Sequence, residues 1–175
     1  YINPLCAHEH DPRYTNPPPA EDKKNIMIVG AGPAGLECAY VAAQRGHEVH
    51  VYDKRKDLGG TLIEASKAPY GDDELFTCIH YQKVQCEKAG VQFHLGTDVT
   101  EDLIKEELPD SVVLATGPVY AQLKAPGAEK ANLVNVLDVL RGDAKVGENV
   151  VVWGNRKPGI GVALSLAKQG KKVTL

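Results

Sequence analysis

Apolar residues fall into short runs separated by stretches of helical period, and that alternation predicts an α/β chain. The first run, Asn25-Ile-Met-Ile-Val29, reads as a buried strand that enters Gly30-Ala-Gly-Pro-Ala-Gly35 and then a helix with Gly35, Ala39, Ala42 and Ala43 on one face. The helix ends at Gly46, and Glu48-Val-His-Val-Tyr52 comes next as a strand that delivers Asp53. From Asp73 to Ala89 the spacing of Leu75, Ile79 and Val84 predicts a helix, with a strand at Val91-Gln-Phe-His-Leu95 after Gly90. Gly96-Thr-Asp-Val-Thr100 reads as a turn, Glu101 to Glu107 as a short helix, and Ser111-Val-Val-Leu-Ala115 as a buried strand ending in Thr116-Gly117. Leu133 to Arg141 reads as a brief helix. Asn149-Val-Val-Val-Trp153, a glycine-bearing turn, a helix to Gly170 and Lys171-Lys-Val-Thr-Leu175 then repeat the opening order. The fold class is therefore α/β, a Rossmann-like doubly wound parallel sheet with a truncated second βαβ unit. Its boundaries read as an arm over 1–24, a domain over 25–147 and the start of a second unit over 148–175, which is too short to close a core alone and is expected to borrow packing from the first domain or from another copy.

The glycine spacing gives the first turn its chemistry. Gly30, Gly32 and Gly35 form GxGxxG between a strand and a helix: the first permits the tight turn, the second lets backbone approach a pyrophosphate, the third lets helix and strand pack closely. Pro33 suits the first helical turn, where no N–H is needed. Unpaired N–H groups and the positive dipole end favour an anion there. Asp53 lies 23 residues beyond Gly30, near the ~20-residue interval of an acid that accepts hydrogen bonds from ribose. Gly59 and Gly60 suit a second close approach to the cofactor. Lys54, Arg55 and Lys56 read first as a solvated loop, with stacking of Arg55 on an adenine face as the alternative. A strand ending in Ala115-Thr-Gly117 points backbone at a ligand over the carboxyl ends of a parallel sheet.

Composition narrows the partners. With 175 residues, 43% hydrophobic and 25% charged, the chain suits one soluble domain or slightly more. A net charge of −3 without a basic stripe argues against nucleic acid, and no segment is long and apolar enough to span a membrane. Cys6, Cys38, Cys78 and Cys86 share no CxxC spacing, which fits free thiols and a cytoplasmic setting. His8 and His10 read as solvated arm residues, so no metal site is expected. The arm carries Pro4, Pro12, Pro17, Pro18 and Pro19, and a start at Tyr1 reads as part of something longer. Oligomeric state stays open.

Taken together, Val29-Gly-Ala-Gly-Pro-Ala-Gly-Leu-Glu37, Arg45-Gly-His-Glu-Val49, Leu58-Gly-Gly60, Leu95-Gly-Thr-Asp-Val-Thr100 and Leu114-Ala-Thr-Gly117 resemble the NADH:flavin oxidoreductase family of 2,4-dienoyl-CoA reductase, enoate reductase and trimethylamine dehydrogenase, in its C-terminal part. Asn3-Pro4 with Glu9 is similar to the segment after the fourth iron–sulfur cysteine in those enzymes. The resemblance implies a parent enzyme with a barrel domain holding FMN and substrate, a 4Fe-4S cluster, and this FAD- or ADP-binding, electron-transferring region. It implies that Gly30, Gly32, Pro33, Ala34 and Gly35 bind pyrophosphate, Asp53 the ribose, and Lys54 with Arg55 the adenine edge. Gly59, Gly60, Thr61 and Leu62 would also line the cofactor, Val99 would offer backbone to the adenine, and Ala115, Thr116 and Gly117 would close the site. None is a catalytic proton-transfer residue, because the flavin carries the hydride chemistry. The implied function is an NAD(P)H-dependent reductase of activated C=C bonds. The alternatives are an amine dehydrogenase with ADP in this site, or a non-catalytic ADP-binding domain. Gly154-Asn-Arg-Lys-Pro-Gly-Ile-Gly161 departs from the compact nicotinamide fingerprint; read as a longer turn, it counts against NADH or NADPH there, while Arg156 and Lys157 suit either a phosphate contact or a surface turn.

Overall fold

The computed structural model describes residues 6–69, 74–119, 123–130 and 132–175. Asn3, Pro4 and Asp73 lie outside the described residues. In chain order the elements are α1 (Pro12–Thr15), β1 (Asn25–Val29), α2 (Pro33–Gln44), β2 (Glu48–Asp53), α3 (Leu62–Ala65), α4 (Leu75–Lys88), β3 (Gln92–Leu95), α5 (Glu101–Glu107), β4 (Ser111–Leu114), a 3₁₀ turn (Ala128–Lys130), α6 (Val136–Arg141), β5 (Asn149–Val151), α7 (Lys157–Lys168) and β6 (Lys172–Thr174). They gather into two compact units, one of residues 1–60 and 77–117, the other of 61–76 and 118–175.

In the first unit the strands run parallel in the order β3-β2-β1-β4, with Ile28 beside Val51 and Val113, and Val29 beside Tyr52 and Leu114. β-Branched residues fill the strand centres because they pack well on a pleated surface. One face buries Ile28, Val49 and Val51 with Leu36, Ala39 and Ala42 of α2 and Cys86 of α4. On the opposite face Tyr52 stacks on His94 at 4.3 Å between ring centroids, and His94 Nε2 lies 3.1 Å from His50 Nδ1. Burial, then the neighbouring His50, pushes the His94 imidazole below its ordinary range. α2 opens at Gly32 with Pro33 in its first turn, and Gly46 follows its end at φ +91°. Thr100 caps α5 by accepting from Leu103 N at 3.2 Å.

The arm is not wholly extended. Asp11 caps the four-residue α1 by accepting from Arg13 N, a local bond that the proline count hides. Further on, the arm lies against the end of α2, where Ala20 N donates to Arg45 O and Lys24 N to His47 Nδ1.

In the second unit β5 and β6 pair in parallel, with Val150 beside Val173. β5 stops at Val151, short of the Trp153 expected from the apolar run. Val152, Val162, Ala163 and Leu166 form a small core with Val136, Val139 and Leu140 of α6, so α7 takes its packing from α6. Glu64 of α3, 0% exposed, accepts from Arg141 Nε of α6 at 2.9 Å. That pair ties α3 to α6. A buried carboxylate is tolerated only when a partner of this kind compensates its lost hydration.

Candidate dinucleotide-binding site

The site builds on the carboxyl end of β1. Gly30 has φ +111° and donates its N–H to Tyr52 O at 2.7 Å. A Cβ there would lie 2.3 Å from Ala115 O, so the end of β4 presses on this glycine. A Cβ on Gly35 would lie 1.9 Å from Gly30 O, which is why the third position of the turn must also be glycine. These two glycines are demanded by the fold. Gly32 is not: its φ is −77°, and a Cβ would meet nothing closer than Gly60 Cα at 3.9 Å. Gly60 faces it, and a Cβ on Gly60 would come within 2.9 Å of Gly32 Cα. Two bare backbones thus face each other beside the N-terminus of α2, which is the shape a pyrophosphate cradle needs.

Neighbouring bonds hold the cradle. Gly59 N donates to Ala31 O at 2.8 Å, and Arg55 Nη1 donates to Gly60 O at 3.2 Å. Asp53 accepts from Ala31 N through Oδ2 and from Arg55 N through Oδ1, both at 2.8 Å. Asp53 therefore anchors the glycine turn to the strand end, a role its spacing did not reveal. Each carboxylate oxygen keeps a second lone pair for a hydroxyl. Thr97 N donates to Asp53 O and Gly96 N to Arg55 O, which brings the turn holding Val99 to the same edge. Pro33 is half-buried, whereas Ala34, Lys54, Thr116 and Gly117 are exposed. Ala115, half-buried, donates its N–H to Val29 O. Thr61 and Leu62 belong to the second unit, at the start of α3.

One supporting residue carries no motif in the sequence. Gln82 of α4 is buried and donates through Nε2 to Pro33 O at 3.1 Å and to Glu37 Oε2 at 3.2 Å. It pins the first turn of α2 from below. Ile79, one turn earlier, fills the space where a Gly59 side chain would be, with Cδ1 2.5 Å from the Cβ position. The spacing of Ile79, Gln82 and Cys86 on one helical stripe was the available signal, a polar residue on an inward face. Cys86 donates to Leu36 O at 3.3 Å, and its thiol is pushed up to about 12, by burial first. Such a thiol stays protonated and inert. Cys6, Cys38, Cys78 and Cys86 are all free, and among the described residues no group of acids, cysteines or histidines could hold a metal.

The second turn is not longer than the first. Gly154 has φ +115°, and a Cβ on Gly159 would lie 2.1 Å from Gly154 O, as Gly35 does from Gly30. Arg156 stands where Gly32 stands in the first turn, at φ −83° and ψ 166° against −77° and 179°. Counting from Gly154 to Gly161 disguised this equivalence.

Residues 24–175 match the pyridine nucleotide-disulphide oxidoreductase family. The chain belongs to that family. It is 36% identical over 174 residues to cinnamate reductase of Clostridium sporogenes, covering 99% of this chain and 25% of that protein. It is 38% identical over 135 residues to a protein named "Probable N-methylproline demethylase" from Rhizobium meliloti, covering 77% of this chain and 20% of that protein. Among solved structures, a 2-naphthoyl-CoA reductase complex superposes with a TM-score of 0.89 at 40% identity, over 98% of this chain and 26% of that one. The chain thus spans about a quarter of the length of such relatives. No helix among the described residues is long and apolar enough to cross a membrane.

Proposed function

We propose that this chain is the FAD-holding electron-transfer region of a larger flavin and iron–sulfur oxidoreductase that reduces activated C=C bonds, with residues 25–147 as its dinucleotide-binding part. The observation that carries the reading is the pair of facing bare backbones at Gly32 and Gly60, a close approach that the fold alone does not require at Gly32. In that site Gly30, Gly32, Pro33, Ala34 and Gly35 receive the pyrophosphate at the helix end. Asp53 accepts from the adenosine ribose while holding the turn in place, and Lys54, Arg55 and Val99 flank the adenine. Gly59, Gly60, Thr61 and Leu62 follow the cofactor onward, with Ala115, Thr116 and Gly117 beside it. When bound, the flavin supplies the hydride and electron chemistry; the side chains bind, orient and exclude water. The cinnamate reductase and 2-naphthoyl-CoA reductase likenesses support the C=C substrate class. FMN, the 4Fe-4S cluster and the barrel domain belong to the proposed parent enzyme.

An amine dehydrogenase holding ADP here is the second reading, favoured by the N-methylproline demethylase likeness. Titration of the intact apoprotein with FAD and ADP separates the two. Tighter binding of FAD than of ADP supports the flavin carrier, and equal binding favours the adenine-only site. In either case Gly32→Val should weaken binding by about a hundredfold or more, roughly 3 kcal/mol, with little loss of fold. Unchanged affinity would remove the cradle from the site.

A further inference from the structure

The two glycine turns share a backbone but not a sequence, Gly30-Ala-Gly-Pro-Ala-Gly35 against Gly154-Asn-Arg-Lys-Pro-Gly159, and the difference that bears on a ligand's approach is the middle one, Gly32 against Arg156. Gly30 and Gly154 have φ of +111° and +115°, the middle residues have nearly the same φ and ψ, and the third glycines make the same close approach to the first carbonyl. Each turn starts a twelve-residue helix, α2 and α7. In the first turn the middle glycine is not needed for folding, because a Cβ there would meet only Gly60 Cα, at an ordinary contact distance of 3.9 Å. Its use is to let a ligand reach the backbone. In the second turn that same position carries Arg156, exposed, which puts a Cβ and a long side chain where Gly32 has neither. Its positive charge does not restore the seat, since a phosphate drawn to the guanidinium is held a side chain's length from the N–H groups of the helix end.

We infer that Arg156 closes the second turn to a nicotinamide dinucleotide, so that the chain seats one dinucleotide pyrophosphate, at Gly32, and not a second at the corresponding turn. This rests on the reading of the first turn as a pyrophosphate seat. Arg156 is then the residue that decides what the second unit accepts.

The test counts sites. Equilibrium dialysis of NADH and of NADPH against the intact protein, up to about 1 mM free ligand, gives the number bound per chain with Arg156 and with Arg156→Gly. Glycine adopts the φ and ψ of this exposed N-cap position without strain, so the variant keeps the fold. The expected result is one additional nicotinamide dinucleotide bound per chain in Arg156→Gly, with at least about a tenfold gain in affinity at that site. An unchanged number overturns the inference, because something other than Arg156 then governs the turn. Loss of a site overturns it too, because Arg156 would then be a ligand. Failure of the underlying reading shows separately, as FAD and ADP binding that Gly32→Val leaves intact.

Discussion

The two units carry the same strand-turn-helix device under different loads. In the first unit β4 closes over the turn, so that Gly30 is pressed by Ala115 O at 2.3 Å from its Cβ position. In the second unit nothing described lies within 4 Å of the corresponding position on Gly154. The same φ therefore reflects turn geometry alone in one unit, and turn geometry plus close packing in the other. The middle position reverses the logic: Gly32 would take a Cβ without overlap and is still glycine, whereas Arg156 shows that the turn of the second unit accepts a large residue. Glycine at the outer positions is an architectural requirement. Glycine at the middle position, on the proposed reading of the site, answers to the ligand and not to the fold.

The sharpest way to break this comparison is to substitute alanine at the two first glycines. Gly30→Ala combines a positive φ with a backbone overlap that no rotamer relieves, and should cost on the order of 4 kcal/mol or more. Gly154→Ala meets only the backbone strain and should cost roughly 1–3 kcal/mol. Denaturant unfolding of the two variants measures the difference. Equal losses would mean that the end of β4 yields around Gly30, and that the first unit is no more tightly closed than the second.

A second contrast concerns Asp53, whose two oxygens accept from Ala31 N and Arg55 N. Asp53→Asn replaces one acceptor with a donor facing an N–H, so the cofactor-free protein should lose about 1–3 kcal/mol of stability. FAD affinity should fall as well. Thermal unfolding without cofactor is the deciding measurement, since a residue that only contacts ribose would leave it unmoved.

The architecture was legible because glycine spacing and apolar period are local signals. Strand, turn and helix from Asn25 to Gln44 need only neighbours in sequence, and α5 fell where Thr100 and the acidic first turn placed it. What escaped depends on contacts between distant residues. Gln82 reaches Pro33 across 49 positions, and Glu64 meets Arg141 across 77, and no periodicity announces either pairing. The equivalence of Arg156 and Gly32 was hidden for another reason. Gly161 completed a plausible glycine pattern, yet the structure places it against Ala68, its Cβ position 2.9 Å from that side chain, as a packing glycine and not part of the turn.

The smallest expected effect sharpens the comparison through pH. In the first unit the polar pair on the sheet is His50 with His94, and burial and the mutual repulsion of the rings hold His94 below its ordinary value of 6.5. As pH falls below 6.5, the unfolded chain takes up a proton on this residue that the folded chain resists, so folding stability declines on the acid side. Above that range the imidazole is neutral in both states and contributes no slope. In the second unit the corresponding tie is Arg141 with Glu64, where the carboxylate raises the guanidinium still further, so Arg141 does not titrate on the acid side. Amide hydrogen exchange should therefore show β2 and β3 losing protection on acidification, and His94→Phe should flatten that dependence because the ring keeps its stack on Tyr52 while losing its proton site. A loss of protection in β2 and β3 that persists in His94→Phe would place the sensitivity elsewhere, with Glu48 beside His50 as the next group to replace.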